Sequence, residues 1–274
     1  MPFKTLLVHV EATAESDLRL RTAVELASNW GAALLGVGGC KPAYLDNPML
    51  LSGYDDGTLV QAIADMETED LAKSAERFAA ASAGLGDAAQ FLSVRNYPDR
   101  VLAACSAGAD IIIASAHRGP RASTAAAADL VLRSGLPVLT VQADRPPVST
   151  RHVVVAWKNT REARRAVSDA IPLLAAAERV TILRIHPTPD PETGARSEEA
   201  VAARLARHGV NAIPETLEAS EGHAHAALTS FAVKEQAGLI VAGAYGHTRL
   251  GEWALGGMTD SLLSSAPVPV LFSH

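Results

Sequence analysis

Aromatic side chains are scarce in this chain, at 4% of 274 residues. Any core must therefore be filled by Ala, Val, Leu and Ile, the bulk of the 48% hydrophobic content. Only two cysteines occur, Cys40 and Cys105, and they lack CxxC spacing. That excludes a disulfide framework, and with no basic cluster beside either they read as small buried thiols. Positive charge is not in excess either: 24 Lys and Arg stand against 30 Asp and Glu, a net charge of −6. Neither half is basic, so the stripe a nucleic-acid binder needs is missing, and nothing draws the chain to anionic lipid. No apolar run reaches the roughly 18–20 residues of a membrane span. The opening Thr5-Leu6-Leu7-Val8-His9-Val10 reads as a strand, too short for a signal peptide and followed by no cleavage site. A cytoplasmic protein without nucleic-acid or membrane partners is expected.

Catalytic signatures are also lacking. There is no GxSxG elbow, Walker A loop or HExxH helix, and no carboxylate pair spaced for acid–base work. The expectation is a binding or regulatory protein rather than an enzyme, with no catalytic residue and no metal ligand of its own.

What the sequence does contain is a repeat. Ala109-Asp110-Ile111-Ile112-Ile113-Ala114 is echoed by Ala237-Gly238-Leu239-Ile240-Val241-Ala242. Each half closes on a β-prone run after a proline, Leu136-Pro137-Val138-Leu139-Thr140-Val141 and Val268-Pro269-Val270-Leu271-Phe272-Ser273. Each also opens on one, Thr5 to Val10 and His152 to Trp157. Residues 143–150 carry two prolines that block helix and central strand, which makes them a linker. The reading is a domain over 1–143 and a second over 151–274.

Within each copy, continuous apolar runs alternate with Ala-rich helical stretches, as in parallel strands covered on both faces. Strands are expected near 4–11, 32–40, 89–95, 110–115 and 137–142, then near 152–157, 179–186, 211–217, 238–243 and 268–273. A helix over 161–176 would put Ala163, Ala166, Val167, Ala170, Leu173 and Leu174 on one face. Five β-α units per copy give an α/β fold of two repeated doubly wound domains. Ligands on such sheets bind beyond the carboxyl ends of the strands.

After the fourth strand of the second copy comes Gly243-Ala244-Tyr245-Gly246-His247-Thr248-Arg249-Leu250-Gly251-Glu252-Trp253-Ala254-Leu255-Gly256-Gly257-Met258-Thr259. This is a G-x2-G-x9-G arrangement between a buried strand and a closing helix. Glycines allow close backbone approach to an anion, and amides at a helix start favour phosphate. A connection that merely turns tightly would use glycine as well.

This loop resembles that of the universal stress protein family, as do the closing Ala266-Pro267-Val268-Pro269-Val270-Leu271 and the opening Val155-Ala156-Trp157 with Arg161-Glu162-Ala163. The resemblance covers nearly the whole chain as a tandem pair and is strongest from about residue 152. It implies a five-stranded parallel sheet in the order 3-2-1-4-5 with helices on both faces. It also implies, in one branch of the family, ATP held by the loop, with Mg2+ accompanying the nucleotide. Carried over by position, Trp157, Lys158 and Ile185 would flank adenosine, while Gly243, Gly246, Gly256, Gly257 and Thr259 would surround ribose and phosphates, with His247 beside them. Two positions depart from the family. Its loop usually ends Gly-Ser or Gly-Thr, where Gly257 here supplies no hydroxyl; such a bond to a charged group is worth about 1.5–3 kcal/mol, roughly one to two decades of affinity. The family commonly has an acid at the end of strand one, where this chain has Lys158, which accepts no hydrogen bond but can pair with phosphate. The ligand is thus ATP or another small phosphorylated molecule. The family also commonly joins domains through their last strands, which implies antiparallel pairing of 137–142 with 268–273, an internal pseudo-dimer open to further homodimerisation.

The first copy differs. Its aligned loop is Ser115-Ala116-His117-Arg118-Gly119-Pro120-Arg121-Ala122-Ser123-Thr124, with Ser115 and Arg118 in the places of Gly243 and Gly246. That site reads as lost. His223 and His225, two apart on a helix, point in different directions and read as a solvated helix start rather than a metal pair. Residues 42–58 have no counterpart of equal length in the second copy; a lid or partner surface is one reading, a packed loop the simpler one. The function expected is stress-response regulation through ligand binding in the second copy. The rival is a ligand-free scaffold, and slow ATP hydrolysis ranks last, with Glu252 the only acid in the loop.

Overall fold

Runs of Val, Leu, Ile and Ala have no polar face to turn to water, so they make strands only where helices cover both sides of the sheet. The computed structural model describes residues 2–39, 58–116, 127–142, 144–186, 194–246 and 257–274. The chain divides into two units, Phe3–Ser134 and Gly135–His274, the latter together with Met1–Pro2.

In Phe3–Ser134 the strands are β1 (Thr5–His9), β2 (Ala33–Gly39), β3 (Ala89–Val94) and β4 (Ile111–Ser115), ordered β3-β2-β1-β4 and all parallel. Leu6, Leu7 and Val8 on β1 and Ile111, Ile112 and Ile113 on β4 are fully buried, as two-faced strands require. The helices are α1 (Ser16–Trp30), α2 (Thr58–Ser82), α3 (Pro98–Cys105) and α4 (Ala127–Arg133). Gly31 ends α1 in the left-handed region at φ 58°, its amide turned back to the carbonyls of Ala27 and Ser28.

Gly135–His274 holds β5 (Val138–Val141), β6 (His152–Trp157), β7 (Arg179–His186), β8 (Ala212–Glu218), β9 (Leu239–Gly243) and β10 (Val270–Ser273). Its helices are α5 (Arg161–Asp169), α6 (Ile171–Leu174), α7 (Gly194–Ala206), α8 (Ala224–Lys234) and α9 (Gly257–Ser265). The parallel part runs β8-β7-β6-β9-β10, which is the expected 3-2-1-4-5 order. β5 pairs antiparallel with β10, Leu139 opposite Leu271, and the Thr140 hydroxyl donates to the Val270 carbonyl at 3.1 Å. The expected pairing of the last strands is present, and it covers edges that would otherwise leave amides and carbonyls open. The outer strand β8 carries Pro214, Glu215 and Glu218, residues that discourage further pairing.

One helix differs from expectation. Residues 161–176 form α5 and α6 rather than a single helix. Pro172 has no N–H for the carbonyl of Ser168, so the chain breaks at Ala170 and restarts with proline in its first turn. The apolar face survives the break: Ala163, Ala166, Val167, Ala170, Leu173 and Leu174 are all buried. Among the described residues, no helix is long and apolar enough to cross a membrane.

Candidate ligand site

β6 lies between β7 and β9, and the chain leaves it in opposite directions toward them. That reversal separates the loops at the carboxyl ends and opens a crevice. A cavity of about 580 Å³ lies there. Trp157, Lys158 and Ile185 line it from the strand ends, and Gly243, Gly246, Gly257 and Thr259 from the loop side. His247 and Gly256 fall outside the described residues, as do Glu252 and nearly all of 42–58.

Trp157 is buried, and its indole N–H donates to the Ser197 hydroxyl at 3.1 Å. Ser197 in turn donates to Glu198 at 3.0 Å, and Glu198 is ion-paired with Arg184 at 3.4 Å. This chain of contacts from β6 through α7 to β7 fixes the indole as one wall of the cavity.

The start of α5 forms another wall. Thr160 has extended backbone (φ −116°, ψ 167°), and its hydroxyl accepts from the Ala163 amide at 3.3 Å, an N-cap. Thr160→Ala should cost about 1 kcal/mol, read as a lower urea midpoint. Behind this turn packs Gly243. A Cβ there would lie 2.5 Å from the Ala163 nitrogen and 2.6 Å from the Glu162 carbonyl carbon. Close packing of strand end on helix start therefore requires this glycine, whatever its part in approach to an anion. Tyr245 adopts φ 58°, and its amide donates to the buried Thr259 hydroxyl at 3.3 Å, tying the loop's beginning to α9.

Glu162 is the residue that sequence reasoning missed. It is 6% exposed and lines the cavity, with one carboxylate oxygen 2.9 Å from where a Cβ on Gly246 would stand. Burial pushes its carboxyl up, but its own backbone N–H, the Thr160 hydroxyl and Arg161 together outweigh burial and hold it below the usual carboxylate range. The Arg161 contact is 3.0 Å. With the folded value lowered, Glu162 contributes stability that is present above 4.5, the unperturbed value, and is lost as pH falls through the lower folded one. Glu162→Gln should remove that part of the acid-side slope in stability measured against pH.

In the first half the corresponding strand ends are joined by a buried network. Strand register puts Ser115, at the end of β4, where Gly243 ends β9. There lies Arg19, with 0% of its surface exposed. Its guanidinium donates to the His9 carbonyl at 3.0 Å, to Glu11 at 2.6 Å, to Ser16 at 2.7 Å and to the Ser115 hydroxyl. Glu11 is 3% exposed, and its amide donates to Ser16 at 2.7 Å. A buried ion pair thus occupies the carboxyl ends of β1 and β4. Residues 117–124 of the aligned loop lie outside the described residues.

Other sequence candidates have their own partners. His152 is buried between the Glu235 carbonyl (3.0 Å) and the Thr181 hydroxyl (2.9 Å). His223 meets Ser220 at 2.7 Å, while His225 reaches Ser265 at 3.4 Å, so the two turn to different neighbours. Burial raises the Cys105 thiol, keeping it protonated, and Cys40 falls outside the described residues.

Residues 149–274 match the model of the universal stress protein family. The sequence likeness to that family covers this half of the chain. Comparison with curated proteins by sequence finds no match. Among solved structures, a universal stress protein from Archaeoglobus fulgidus is similar at 16% identity with a TM-score of 0.69, covering 98% of this chain and 95% of that one. A putative universal stress protein from Pseudomonas aeruginosa is similar at 20% identity and a TM-score of 0.64, covering 99% and 93%. At such identities the likeness is one of fold, and it extends over both halves.

Proposed function

We propose that this chain is a universal stress protein that binds an adenine nucleotide or a related phosphorylated ligand in its second half and acts as a cytoplasmic regulator. Its output is a changed conformation or partner affinity, with no product released. One observation carries the reading: a cavity at the switch point brings strand-end groups and glycine-loop groups onto one volume. The buried Arg19 and Glu11 support confining the ligand to the second half. Native mass measurement of the purified protein should find a retained phosphorylated ligand, and calorimetry should show binding of an adenine nucleotide. If no adenine nucleotide binds at millimolar concentration and none is retained, the scaffold reading takes over.

The loop's missing hydroxyl gives a sharper test. Gly257 is exposed, and a Cβ there would meet nothing within 4 Å. Gly257→Ser therefore fits without strain and adds a donor at the described start of α9, where anions are favoured. Binding of a phosphorylated ligand should tighten about tenfold, the lower end of what a charged hydrogen bond is worth. Lys158→Asp separates two uses of the strand end. A ligand whose ribose or base lies there should gain an acceptor, whereas one whose phosphate lies there should be lost.

A further inference from the structure

Among the described residues one outer strand is neither covered nor guarded, and we propose that this strand, β3, pairs antiparallel with the β3 of a second copy of the chain. Proteins manage open strand edges by pairing, by proline or by charge. β5 and β10 cover each other, and β8 carries Pro214, Glu215 and Glu218. β3 is the other outermost strand, and Ala89-Gln90-Phe91-Leu92-Ser93-Val94 contains neither proline nor a charged residue. One side of it is paired with β2 along its whole length. On its other side no strand lies among the described residues. Gln90, Leu92 and Ser93 are exposed, Leu92 to 40% of its surface. A row of unpaired N–H and C=O groups beside an exposed leucine is a template for another strand.

The sequence around β3 complements itself. Antiparallel pairing of two identical strands places a two-fold axis normal to the sheet, because opposed residues must share a face. One residue then stands opposite its own copy. With Phe91 at that centre, Gln90 meets the partner's Leu92, and Asp87 is brought beside the partner's Arg95. Asp87, just before the strand, and Arg95, just after it, are both exposed. Arg95 is steadied through one nitrogen only, which donates to the Thr68 hydroxyl and to the Ala64 carbonyl at 3.5 Å. Symmetry makes the opposite-charge contact twice. Phe91 packs on Phe78 with ring centroids 5.4 Å apart, so its backbone at the centre is held by the core behind it. A centre at Leu92 would set Arg95 against Ala89 and lose both charge pairs, so charge selects Phe91.

The paired segment is short, and the dimer should be a weak one, with a dissociation constant on the order of 10 µM. Sedimentation of the full chain over about 1–200 µM should show monomer passing into dimer. Leu92→Lys puts a charge on the open edge and should weaken association about tenfold or more. Asp87→Arg sets like charges together twice and should weaken it about fivefold or more. Asp87→Arg combined with Arg95→Asp exchanges the charges and should bring association back to within about twofold of wild type. Wild type that stays monomeric at about 200 µM overturns the proposal, as does a dimer that Leu92→Lys leaves intact. A charge-exchanged variant as weak as Asp87→Arg alone overturns the pairing as well. Hydrogen exchange needs no substitution: amides of residues 89–93 in wild type should exchange more slowly as protein concentration rises. Rates that ignore concentration overturn it.

Discussion

Arg19→Met should lower the stability of the protein by about 3–5 kcal/mol, because it leaves Glu11 charged, buried and without its main partner. Arg19 is fully buried and Glu11 nearly so, and they meet at 2.6 Å. The loss comes from stranding a charge, so replacing the pair together should cost far less. Arg19→Met with Glu11→Leu should recover most of the stability, since apolar residues of similar size often match or exceed a buried ion pair. Urea unfolding of wild type, the single variant and the double variant measures both. A double variant as unstable as the single one would show that the bonds to Ser16, Ser115 and the His9 carbonyl, and not the charge pair, hold this end of the sheet.

The same network explains what glycine-to-serine replacement means in the first half. That Ser115 stands in Gly243's place is legible in the sequence. That Arg19 reaches Ser115 is not, because the two are 96 positions apart and only the β1–β4 pairing joins them. The strand ends lie within about two residues of the sequence expectation, since uninterrupted Val and Ile runs bounded by Gly, Pro and Asp have few other solutions. The break at Ala170 is hidden in the sequence because the apolar period of 161–176 continues unbroken through Pro172, whose missing N–H is the one local mark of it. Glu162 escaped for a different reason. An acid in the first turn of a helix is ordinary dipole chemistry, and nothing local shows that Gly246 will lie against it. Long-range juxtaposition was therefore the part that sequence withheld, in both halves.

Gly243→Ala should destabilise the second unit by about 3 kcal/mol, the upper end of the usual cost of overpacking. The added methyl would lie 2.5 Å from the Ala163 nitrogen and 2.6 Å from the Glu162 carbonyl carbon, and both are backbone atoms that cannot rotate away. Relief requires α5 to lift from β9, which pulls buried Ala163, Ala166 and Val167 off the sheet. Gly257→Ser is the matched control from the other end of the loop: with no atom within 4 Å of its Cβ, it should leave the urea midpoint close to wild type. Two glycines of one motif are thus predicted to separate, the first by what it does to folding and the second by what it does to binding. If Gly243→Ala melts with wild type, the helix start yields more readily than its position against β9 suggests, and the glycine there is held for the ligand alone.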